Sequence, residues 1–173
     1  ISFVGRHGVS REAALEWAKY NKIDIEKLKK FWDWILEYSK DSNPLTAFRF
    51  WIKTDNGIFD IPWLAEHIRK TMEKTKGAVD WDYGLMRSIP SLAKFAPSDT
   101  LAVLRLFFLE GGVRSKLRMP PFIDREWFEA FQILYSNPDT KSDTYTLIDD
   151  LIREGGSTFW KLKDVLVDQR VKP

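Results

Sequence analysis

An all-α fold of antiparallel helix pairs is what this sequence predicts, and three observations carry it. Strand signals are nearly absent: no segment sustains a two-residue alternation of apolar and polar side chains. The Asn-Gly turn in TDNGIF (Thr54–Phe59) falls between helical patterns and reads as a loop. Helix start and stop signals, by contrast, recur along the whole chain. And the stretch DTLAVLRLFFLEGG (Asp99–Gly112) returns 44 residues later as DTYTLIDDLIREGG (Asp143–Gly156).

Taken in order, Ser10 is placed to cap REAALEWAKY, and Asp24 to cap IEKLKKFWDWILEYSK. In the second of these, Leu28, Phe31, Trp32, Ile35 and Leu36 recur at helical spacing as an apolar stripe. Asn43 followed by Pro44 opens LTAFRFWIKT. Asp60 opens IPWLAEHIRKTMEKTKG, which Gly77 ends; Pro62 is tolerated because first-turn N–H groups have no intrahelical acceptor. Asp80 or Asp82 begins YGLMRSIPSLAKFA, with a kink or break expected at Pro90. Ser98 or Asp99 caps the first copy of the echoed stretch and Asp124 caps REWFEAFQILYS. Ser142 or Asp143 caps the second copy, and Ser157 caps TFWKLKDVLVD. About nine helices joined by short loops result, so sequential neighbours pack antiparallel. The long connection is VRSKLRMPPFI (Val113–Ile123).

Aligned without a gap, the two copies share Asp, Thr, Glu, Gly and Gly. Val103, Leu104, Phe107 and Phe108 fall opposite Leu147, Ile148, Leu151 and Ile152, a single helix face. Asp reads as the cap and the first Gly as the left-handed residue that ends the helix. Each copy is preceded by another helix of similar length. A period of 44 residues holding two helices resembles the HEAT and armadillo repeats, whose units run to about 40–47 residues. The resemblance is loose in sequence and spans most of the chain. It implies a right-handed, HEAT-like α-solenoid of stacked hairpins whose concave face holds a partner. Between the copies, Arg105 and Leu106 become Asp149 and Asp150, so the first helix is nearly apolar all round and the second keeps a polar face.

Composition narrows the class. Hydrophobic residues make up 44% and charged residues 30%, as in folded globular chains, and eight Trp with twelve Phe supply a large aromatic interior. Residues 1–173 read as one domain. Basic and acidic residues number 14 and 11 up to Gly77 and 13 and 14 beyond it. That is no field of the kind a dedicated nucleic-acid domain carries. The absence of cysteine excludes disulfides, thiolate metal sites and cysteine nucleophiles, and fits a cytoplasmic setting. No apolar run is long enough for a membrane span. The chain opens on Ile1, so a piece of a longer protein is expected.

Candidate chemistry is sparse. His7 lies between glycines near the start, and His67 follows Glu66 on a helix, where adjacent side chains diverge by about 100° and form no acid–base pair. No His spacing suits zinc. Asp80 and Asp82 read as first-turn acids, Asp149 and Asp150 as a solvated face. No catalytic or phosphate-binding motif occurs. The aromatic strings FWDW (Phe31–Trp34) and FRFW (Phe48–Trp51) read as interhelical core, with about half of each string pointing outward at helical spacing. Arg114, Lys116 and Arg118, in the long loop, form a basic cluster suited to an anion or a partner. The expected function is therefore a non-catalytic scaffold that binds a protein partner and needs no cofactor. Contact with nucleic acid or phosphate through loop 113–118 is the alternative.

Overall fold

Helix-forming chemistry dominates the chain, and every regular element among the described residues is helical. The structure is a computed structural model that describes residues 11–38, 58–77, 82–110 and 125–168. Eight α-helices occur there: α1 (Arg11–Tyr20), α2 (Ile25–Tyr38), α3 (Ile61–Thr75), α4 (Asp82–Phe95), α5 (Pro97–Arg105), α6 (Arg125–Ser136), α7 (Lys141–Arg153) and α8 (Thr158–Asp168). A π-helical turn, Leu106–Glu110, extends α5. The segment LTAFRFWIKT and the caps Ser10, Asn43, Asp80 and Asp124 lie outside the described residues.

Two caps form as the sequence predicts. Asp24 Oδ1 accepts from the Lys27 N–H at 3.0 Å, and this bond, aided by the Lys27 ammonium, holds the Asp24 carboxyl below the ordinary carboxylate range. Asp60 Oδ1 accepts from the Trp63 N–H at 3.1 Å, with Pro62 in the first turn. Two other caps are corrected. Helix α5 begins earlier than Ser98 or Asp99: Ala96 stands at the cap with no side-chain bond and Pro97 takes the first helical position. Helix α7 likewise starts at Lys141 behind Thr140, ahead of Ser142 and Asp143. Nor does α4 break at Pro90; it continues to Phe95, with Ile89, Leu92 and Ala93 buried on either side of the proline.

Three helices end in the same paired-bond motif, in which a left-handed residue turns the chain back over the last turn. After α7 the left-handed residue is Gly155, at φ 97°, with Gly156 N–H donating to Leu151 O at 2.9 Å. After α1 and α3 it is a lysine: Lys22 at φ 55° and Lys76 at φ 50°. Lys76 therefore precedes Gly77 at the position glycine would favour. Its Cβ is strained there, so Lys76→Gly is expected to stabilise the chain by about 0.5–1 kcal/mol in urea unfolding.

Helix α2 packs on α3, α3 on α4 and α5, α4 on α5 and α6, α5 on α7, and α6 on α7 and α8. One continuous core results, from Trp32 and Ile68 through Leu85, Leu104 and Phe131 to Leu162. The echoed stretches face that core as aligned: Val103, Leu104, Phe107, Leu147, Ile148 and Leu151 are all buried. Their shared Thr has a role that the cap reading missed. Thr100 and Thr144 are buried, and each Oγ1 donates at 2.7 Å to the carbonyl of the residue before its helix, Ala96 and Thr140. The copies differ at their ends. Where α7 stays α-helical, Ile152 is half-buried; where the π turn replaces the α-helix, its counterpart Phe108 is only 5% exposed. Phe108 there meets Phe107, Trp127 and Phe159 edge to face.

Candidate functional site

The basic cluster Arg114, Lys116 and Arg118 lies outside the described residues, as do His7, Asp80 and FRFW. The remaining sequence candidates resolve into structure. Asp149 pairs with Lys163 of α8 at 2.6 Å, and Asp150 with Arg105 of α5 at 3.3 Å and Arg153 at 3.1 Å. On this partly exposed face of α7 the two carboxylates thus also pair with neighbouring helices. Glu66 pairs with Lys70, whose ammonium hydrogen-bonds its carboxylate and lowers its pKa. His67 instead reaches across to α2, where its Nε2 lies 2.8 Å from Asp33 Oδ1, while its Nδ1 lies 2.9 Å from Trp63 O. Local spacing gave no signal for this pair, because 34 residues separate its members. His67 is only 4% exposed and both ring nitrogens are engaged, so it joins two helices and offers no nitrogen to a substrate. Among the described residues, no group of His, Asp and Glu is arranged to hold a metal ion.

What α2 builds is a rigidly mounted aromatic face. Its inner side is anchored by Trp32, fully buried, edge-on to Phe59, Trp63 and His67, and donating from Nε1 to Thr71 Oγ1 at 3.1 Å. Lys29 ties the first turns of α2 to Asp60 at 3.5 Å and lies 5.2 Å from the Trp63 ring centre. At the other end Lys74 of α3 donates to the carbonyls of Ile35 and Leu36, capping the negative end of the helix dipole.

The outer side carries Phe31, Trp34 and Tyr38, which are 46%, 55% and 60% exposed. Their ring centres are 6.1 and 6.0 Å apart, and the first two planes lie within 11° of parallel. The FWDW string thus divides as helical spacing dictates: Trp32 enters the core, while Phe31 and Trp34 stay outside. Among the described residues, other exposed apolar side chains include Trp160 and Val165 on α8 and Phe95 on α4. Around these rings α2 holds Glu26, Asp33 and Glu37 against Lys27, Lys29 and Lys30, a balanced surface. No protein family, curated protein or solved structure matches the chain. Among the described residues no helix is long and apolar enough to cross a membrane.

Proposed function

We propose that this chain is a non-catalytic interaction module of a larger cytoplasmic protein, built as a right-handed, HEAT-like stack of helix hairpins. The module holds a protein partner through the outer face of α2. The observation that carries the binding reading is the aligned row of Phe31, Trp34 and Tyr38, exposed on a helix braced at both ends. Tyr and Trp are the residues that most often dominate the energy of protein interfaces, and rigid mounting lowers the entropy lost on binding.

The stacked reading is supported by the pattern of helix contacts. Helices that would be first in their hairpins meet one another, α4 on α6 and α6 on α8; those that would be second do the same, α3 on α5 and α5 on α7. Ion pairs follow the same order, Arg69 of α3 to Asp99 of α5 at 2.7 Å and Arg105 of α5 to Asp150 of α7 at 3.3 Å. The balanced charge around the rings favours a protein over a nucleic acid, whose phosphates call for an excess of cations.

The test is affinity capture with the full-length protein, comparing wild type with the Trp34→Ala/Tyr38→Ala variant. Both side chains are exposed, so circular dichroism should match. A bound protein retained by the wild type and reduced by about tenfold or more in the variant is expected. Retention that ignores the double substitution would sink the reading.

A further inference from the structure

Resting on that reading, we infer that the outer face of α2 pairs with the same face of a second copy of this chain, antiparallel about a two-fold axis. The helix carries the pattern such a pairing needs. Lys27, Phe31, Trp34 and Tyr38 follow one another at spacings of four, three and four, the seam of a helix pair. Antiparallel alignment sets Phe31 against Trp34 of the second copy, Trp34 against its Phe31, and Lys27 over the ring of its Tyr38, a cation–π contact.

Charge fixes the direction. Lys30 and Glu37 flank the seam on one side, both exposed, and neither forms an ion pair among the described residues. Seven residues apart on one helix, they stand about 10 Å from each other and cannot meet. In the antiparallel pair each meets the other's counterpart: Lys30 faces Glu37 of the second copy, and Glu37 faces its Lys30. A two-fold axis makes both pairs at once, because every contact between two residues occurs twice. A parallel pair would bring neither charge to its opposite. The opposite flank holds Leu28 and Ile35, which pack into the chain's own core. Each protomer therefore lends one charged edge and one aromatic seam to the contact.

Sedimentation equilibrium on the full 173-residue chain reads the pairing. Wild type is expected to rise from 20.3 kDa toward twice that mass as concentration climbs from about 1 to about 200 µM, the weak association typical of a small interface. Lys30→Glu alone and Glu37→Lys alone place like charges opposite each other in both pairs and should weaken association about tenfold or more. An equimolar mixture of the two variants restores both attractions, and so does the double variant by itself; both should associate as wild type does. A wild type that stays at 20.3 kDa throughout, single reversals without effect, or a mixture that does not recover would each overturn the pairing. If wild type stays monomeric while Trp34→Ala/Tyr38→Ala still loses a captured protein, only the second copy is refuted, and the interaction-module reading stands.

Discussion

Trp32→Ala is expected to destabilise the chain by about 4 kcal/mol, a large share of the roughly 5–15 kcal/mol that holds a domain folded. Trp32 is fully buried between α2 and α3, within 6 Å of the ring centres of Phe59, Trp63 and His67. Removing the indole opens a cavity that these rigid rings cannot close. Thr71 Oγ1 loses the donated Nε1 hydrogen bond but keeps its own bond to His67 O at 2.7 Å, so most of the cost is packing. Trp32→Phe, which retains a ring, should cost roughly 1–2 kcal/mol. Urea unfolding gives both values. Hydrogen exchange adds a test of the architecture. In a stack, each hairpin touches only its neighbours, so protection should fall in α2 and α3 while α7 and α8 keep theirs. Uniform loss across all helices would instead show one cooperative core and count against the repeat.

Phe131→Ala is the matching change at the other end, also expected to cost about 4 kcal/mol. Phe131 on α6 is buried against Phe159 of α8, edge to face at 5.7 Å, and against Phe108 of the π turn at 6.4 Å. Three segments lose a shared contact at once, so α8 should exchange first. Phe131→Leu, which leaves a smaller void, should cost about 1–2 kcal/mol. Because Phe131 and Trp32 share no partner in these contacts, the double alanine variant should lose the sum of the two effects within about 0.5 kcal/mol. A clear excess over the sum would reveal coupling through the core between α2 and α6.

The contrast between what was and was not legible in the sequence follows range. Asp24 and Asp60 could be read as caps because a cap bonds to an N–H three residues on. The outward turn of Phe31 and Trp34 beside an inward Trp32 follows from helical spacing alone. Ser98, Asp99, Ser142 and Asp143 misled because a hydroxyl or carboxylate early in a helix looks like a cap. Pro97 was the better signal, since proline at the first helical position needs no N–H. Asp99 is spent instead on Arg69, with Arg69 drawn to a raised pKa by Asp99 and then Glu73. The link between Asp33 and His67 was out of reach, because a contact between two helices depends on how they cross. The placement of Arg105 against Asp150 was half visible: the two copies differ at these positions, and the difference turned out to be complementary charge.

The threonines have a mechanical consequence. Thr71, Thr75, Thr100 and Thr144 are buried, yet each hydroxyl donates to a carbonyl of its own helix or of the residue just before it. Directional bonds thus stiffen each rod along its length; of the four, Thr71 also ties two rods together, accepting from Trp32 Nε1 of α2. Around Thr75, Thr100 and Thr144 the contact between rods is dispersion, which falls off steeply as a gap opens. Threonine hydroxyls hidden from solvent thus serve mainly the rods themselves, and ion pairs such as Arg69 with Asp99 join one rod to the next.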